Sequence, residues 1–145
     1  MCMAYEMKCT CGARSVSFHF KDNIMPEQVI KGLYCPSCSN GVTLDPATMI
    51  SDNGWVIRYD MEAARFMGEK HIKEKITPEL LLDQGYCSWN GVYPGDNIDS
   101  VREREKIIAL AKTNPAEYFK KLRSWAVERM EKLKNEGWRK AQNAA

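Results

Sequence analysis

The chain has 145 residues, 44% of them apolar and 28% charged, with a net charge of +2. It is long enough to bury a core and too apolar for a disordered chain. It has no run of about 18 uncharged apolar residues and no apolar segment behind a basic start, so no membrane partner and a soluble, cytoplasmic protein are expected. In that reducing setting the six cysteines read as metal ligands or free thiols rather than disulfides. Residues 1–98 hold 9 Lys+Arg against 12 Asp+Glu (net −3), and residues 99–145 hold 12 against 7 (net +5). Such an imbalance marks either a basic binding surface or the solvated face of helices.

The stretch MKCTCGARSVSFHF (7–20) puts two cysteines one residue apart and then alternates Val16, Phe18 and Phe20 with Ser15, Ser17 and His19. That is the period of a strand with one buried face, and it leaves His19 on the polar side. After the turn-rich DNIMPEQ, VIKGLY (29–34) makes a second strand that delivers Cys35. TMIS and WVIRYD flank Asp52-Asn53-Gly54, a strong hairpin signal because Asn and Gly tolerate positive φ. Residues 8–60 therefore read as an antiparallel β unit.

From Met61 the period changes. Asp60 caps a helix over MEAARFMGEKHIKEK (61–75) on which His71 is exposed, and Thr77-Pro78 opens a short helix that Gly85 closes. The loop YCSWNGVYPGDN (86–97) follows. Ser100 with Glu103, and Asn114 with Glu117, have the spacing of capping boxes that open two further helices. In the second of these, Phe119, Leu122, Ala126, Met130 and Leu133 form an apolar stripe with Trp125 beside it. The first helix supplies a cover through Val101, Ile108 and Ala111, making a helical hairpin; another protein is the alternative cover. The expected fold is α+β: a small antiparallel zinc-ribbon β unit (1–60), helices and an aromatic loop (61–98), and a helical hairpin extension (99–145).

Cys9 and Cys11 are answered by Cys35 and Cys38 in YCPSCS (34–39). Two close pairs, joined by a segment that runs out and back, can converge on a tetrahedral ion, which stabilises a β unit too small to hold itself together by burial alone. Zinc and iron both accept four thiolates. A rubredoxin-like iron carrier uses two matching CxxC turns, whereas the first pair here is CxC, so Zn2+ is expected and Fe is the alternative. With every position filled by cysteine no site is open to water, and the ion is structural.

Cys9-Thr10-Cys11-Gly12 leading into an alternating strand, then Cys35-Pro36-Ser37-Cys38, resembles the zinc-ribbon class. Its start is also similar to the structural-zinc segment of the glutathione-dependent formaldehyde-activating family. That resemblance covers the first third of the chain and implies a zinc-bound β ribbon. In that family a CxCxxC cluster supplies a catalytic zinc. Here Leu33 stands where the extra cysteine would precede Cys35, and no CxxC follows Cys38, so the catalytic role does not carry over.

No catalytic residue is assigned, and no phosphate-cradling loop or hydrolase motif is present. Cys87 reads as a small buried hydrophobe and Cys2 as a free thiol. Tyr86, Trp89 and Tyr93 in the loop, with Trp125, are candidate contacts to a partner protein, since Trp and Tyr anchor many interfaces. The functional expectation is a zinc-binding protein–protein interaction module, an accessory subunit of a larger enzyme assembly, with an electron carrier or a nucleic-acid-binding ribbon as alternatives. Nucleic acid is not the expected partner, because acidic residues interrupt the basic ones.

Overall fold

Strand β1 (Met3–Lys8) pairs antiparallel with β2 (Ser15–Phe20), in a register that runs from Met3↔Phe20 to Lys8↔Ser15. Val16, Phe18 and Phe20 are buried and the residues between them are not, as the alternation predicts. A computed structural model describes residues 3–143. A second sheet holds β3 (Ile30–Tyr34), β4 (Met49–Asp52) and β5 (Trp55–Tyr59) in the order β3-β5-β4, all antiparallel. Asn53 and Gly54 close the β4–β5 hairpin at φ 47° and 90°, the double positive φ of a type I′ turn.

Helix α1 (Met61–Gly68) starts as expected, with the Asp60 carboxylate accepting from Ala63 N–H at 3.2 Å. It stops seven residues before the expected end at Lys75. A Cβ at Gly68 would lie 2.7 Å from Ile76 Cδ1 and 2.9 Å from Met25 Cε, so only glycine lets the chain turn back there. The turn carries Ile72 and Ile76 into the core, and burying both outweighs continuing a polar helix. Helix α2 (Pro78–Asp83) is capped by Thr77, whose hydroxyl accepts from Leu80 N–H.

The expected aromatic loop is not a loop throughout. Ser88–Trp89 form β6, which pairs with the inner edge of β2 (Phe18↔Trp89) and completes a sheet of order β1-β2-β6. The loop's other end begins helix α3 (Asp96–Ile108). Ser100 is thus no cap: it sits inside α3 with its hydroxyl bonded to Asp96 O. At Asn114 the cap is as expected, with Oδ1 accepting from Glu117 N–H ahead of α4 (Pro115–Glu136). Gly137 ends α4 in the left-handed region, and α5 (Arg139–Asn143) follows.

The mixed strands and helices make an α+β fold. The chain divides into two compact units, residues 1–90 and 91–145. The boundary differs from those expected because α1, α2 and β6 pack with the sheets of the first unit. Its core gathers Phe18, Leu33, Ile57, Tyr59, Leu81, Leu82 and Trp89, each at most 1% exposed. In the second unit α3 and α4 form the expected hairpin, though not through the expected side chains. Trp125 Nε1 donates to Glu103 at 2.7 Å and Arg129 pairs with Asp96, while Val101 and Ile108 are 46% and 44% exposed. The early start of α3 sets this phase: Asp96, Ser100, Glu103 and Ile107 share one face, and Val101 and Ile108 lie well away from it. Among the described residues no helix is long and apolar enough to cross a membrane.

Candidate metal centre

Cys9 follows β1 directly, and the chain reverses over the next residues. Cys9 N–H donates to Arg14 O at 2.9 Å and Gly12 N–H to Cys9 O at 2.8 Å, which leaves Cys11 at the tip. Cys35 follows β3 directly, and Ser39 N–H closes back onto Cys35 O at 2.9 Å, so Cys38 sits on the next turn. Two side chains fasten these knuckles. Thr10 uses both its N–H (3.0 Å) and its hydroxyl (3.1 Å) on Leu33 O, tying the first knuckle to the end of β3. The Ser39 hydroxyl reaches Pro36 O at 3.2 Å and Gly54 O at 2.8 Å, tying the second to the β4–β5 turn.

The four sulfurs consequently lie within 4.8 Å of one another. Cys9 to Cys11 is 3.0 Å, Cys11 to Cys35 is 3.8 Å and Cys35 to Cys38 is 3.4 Å. Metal–sulfur bonds of about 2.3 Å in a tetrahedron imply edges of about 3.8 Å, so these separations suit one central ion with small adjustments. Cys9 and Cys35 are buried, Cys38 is half-buried and Cys11 is exposed. All four are free of disulfides. Neither His19 nor His71 joins the group, which among the described residues is the one cluster with metal-ligand geometry.

The thiols divide their protons unevenly. The hydrogen bond from Cys11 lowers Cys9 to about 6, and the same bond raises Cys11 to about 12. Cys35 is lowered first by the Cys38 backbone N–H that points at it. One sulfur of each pair is therefore disposed to be a thiolate, the form that binds a metal.

The other expected site residues fall in different places. Trp89 presents no surface, which corrects its reading as a partner contact. It is fully buried, with ring centroids 5.3 Å from Phe18 and 6.1 Å from Trp55, and its Nε1 donates to the buried Asp52 carboxylate at 2.6 Å. Tyr86 is half-buried under Lys21, whose Nζ stands 5.1 Å from the ring centroid. In the second unit Tyr93 stacks on Trp138 at 5.1 Å and donates its hydroxyl to Asp99 at 3.3 Å; burial raises its phenol to about 12. Trp125 is half-buried, held by Glu103 and with Arg129 over its ring at 5.9 Å. Cys87 is buried, and burial pushes its thiol up. Cys2 lies outside the described residues.

Thr10, Ser39 and Asp52 are the structural contributors that the sequence did not single out. Thr10 lies inside the CxC and reads as filler, and Asp52 reads as part of a turn, since nothing local announces Trp89 as its partner. Comparison of the chain with models of known protein families, with curated proteins and with solved structures gives no match.

Proposed function

We propose that Cys9, Cys11, Cys35 and Cys38 hold one structural zinc ion, and that the protein is a zinc-stiffened protein–protein interaction module serving as an accessory subunit of a larger assembly. The observation that carries the metal reading is the convergence of four sulfurs within 4.8 Å. The CxC spacing favours zinc over a rubredoxin-like iron centre, and four cysteine ligands leave no position for water or substrate. The ion would bind across the ends of β1 and β3, where Thr10 already ties the first knuckle to Leu33.

The interaction half of the reading is supported by the second unit. No side chain from 98 to 132 is buried. Ile98, Val101, Ile108, Phe119 and Val127 are 44–68% exposed on these two helices. Single exposed apolar residues are common, but a helical pair with no buried side chain over this length has surface to offer a partner.

Metal analysis of the purified protein together with its visible spectrum tests the first half. One zinc per chain and a colourless protein are expected, and a red iron centre overturns zinc. Affinity purification of the tagged chain from its source tests the second half. A stoichiometric protein partner is expected, and emergence of the chain alone as a monomer counts against it.

A further inference from the structure

Strand β1 is the outer strand of its sheet. Opposed residues in an antiparallel pair alternate between those that exchange both backbone hydrogen bonds and those that exchange none. The bond from Cys9 N–H to Arg14 O sets the phase. Counting back along the register, Met7↔Val16 and Tyr5↔Phe18 are the bonded pairs, and Ala4, Glu6 and Lys8 turn their N–H and C=O groups away from β2. All three residues are exposed. The edge is thus a row of backbone donors and acceptors spaced for another strand.

Beneath the start of this edge lies a cavity of about 320 Å³, within the range of ligand sites. Tyr5, Phe20, Met25, Pro26 and Met67 supply its apolar lining, and Glu27 is its one charged lining residue. Tyr5 and Phe20 share the core-facing side of the β1–β2 pair, so a side chain on the same face of an added strand points toward this opening. Asp22 and Asn23, both at φ 55°, turn the chain out of β2 to form the cavity wall. Beside it on α1, Phe66 is 79% and Met67 39% exposed.

We infer that an extended peptide segment of a partner protein adds as a strand to β1, seating one large apolar side chain in this cavity with a lysine or arginine beside it. The inference rests on the interaction-module reading above and names the surface and partner class. Edge groups specify a strand, because a helix has no free backbone groups along its length to pair with them. Glu27 at the cavity and Glu6, next in the chain to the cavity-lining Tyr5, favour the basic neighbour there, while Lys8 is the edge's charge of opposite sign at the other end of β1. A second copy fits less well: antiparallel β1–β1 pairing centred on residue 6 opposes Glu6 to Glu6, and directly opposed like charges are destabilising.

The test is selection from a phage-displayed library of random twelve-residue peptides against the metal-loaded full chain, followed by amide NMR with the enriched peptides. Enrichment of sequences with a large apolar residue next to Lys or Arg is expected, with shifts at the amides of Ala4, Glu6 and Lys8 and at the methyls of Met25 and Met67. Glu6→Pro removes an outward donor without touching the β1–β2 bonds, since proline is tolerated on an edge strand. Met67→Lys places on the half-exposed lining a charge of the same sign as the peptide's basic residue. Each should weaken binding at least about tenfold, the Coulomb and hydrogen-bond losses being of that order. Failure to enrich any sequence overturns the inference, as does a shift pattern confined to the cavity, which would mark a small-molecule pocket. Shifts confined to α3 and α4 overturn it too while leaving the interaction-module reading intact, and the metal reading is judged separately by zinc content.

Discussion

The two units are stabilised in different ways. Residues 1–90 join distant parts of the chain: β2 pairs with β6 seventy residues on, and the two cysteine knuckles meet across the ends of β1 and β3. Residues 91–145 combine local devices, the Asn114 cap and the Gly137 terminus, with side-chain pairs between helices that follow one another in the chain. The first unit buries aromatic and aliphatic side chains throughout, whereas in the second Asp96, Leu133, Trp138 and Ala141 are the buried residues among those described. A fold made of long-range pairings forfeits chain entropy before its contacts form, and a metal that binds only the folded state offsets that cost; helices assembled locally have no such need.

The largest test of this contrast should come from the metal. Cys38→Ser, or a strong chelator, should unfold the first unit while much of the helical signal remains, because structural zinc is worth on the order of 10 kcal/mol to a small site. The tryptophans are divided between the units, Trp55 and Trp89 in the first and Trp125 and Trp138 in the second, so methyl NMR rather than fluorescence gives each unit its own signal. Simultaneous loss of both signals would show that the chain folds as one cooperative body.

Trp89→Ala comes next. It leaves a void between Phe18 and Trp55 and removes a donor from the buried Asp52 carboxylate. A cost of about 3–5 kcal/mol is expected, confined to the first unit and measurable by urea unfolding. Binding loss without loss of stability would return Trp89 to the role of a contact.

Arg129→Ala addresses the second unit. Asp96 is nearly buried, and its carboxylate is held by the Arg129 Nε at 3.0 Å and by the Val92 N–H at 3.3 Å. Leaving this carboxylate without its cation should cost about 2 kcal/mol, below the range for fully buried pairs because Arg129 is partly open to water. Helical content should fall with no change in metal content; an unchanged thermal transition would show the pair to be inert.

A smaller effect separates the units by pH. Burial raises both the Cys87 thiol and the Tyr59 phenol from their ordinary values of 9 and 10. A group whose folded value is raised keeps its proton when folded and loses it when unfolded. Stability is therefore full below pH 9 and declines above it, by about 1.4 kcal/mol per pH unit for each group once its unfolded form has ionised. Burial also raises the Tyr93 phenol of the second unit from 10 to about 12, but the first unit holds two raised groups and the lower starting value of 9. Alkaline titration followed by methyl NMR should therefore melt the first unit before the second, and the reverse order contradicts the assignment.

What could be read in the sequence follows the same division between near and far. The alternation of Val16, Phe18 and Phe20, the Asn53-Gly54 turn, and the caps at Asp60, Thr77 and Asn114 all express local backbone preference, and the structure has each of them. The cysteine pairs were legible because metal ligands must come in close sets, whatever lies between. The end of α1 at Gly68 was not, since it depends on Met25 and Ile76 meeting there. Nor was the burial of Trp89: a tryptophan between glycines looks like a loop anchor until β2 and Asp52 are placed beside it. The Ser100–Glu103 pattern misled because a short polar motif can sit as easily inside a helix as at its start.

The central claim is that four sulfurs, and nothing else, hold a zinc ion that the first unit needs. X-ray absorption at the zinc edge on the purified protein tests it most directly. The account predicts one zinc per chain with four sulfur neighbours at about 2.3 Å and no nitrogen or oxygen in the shell. A mixed shell, or a folded first unit with four free thiols and no metal, would contradict it.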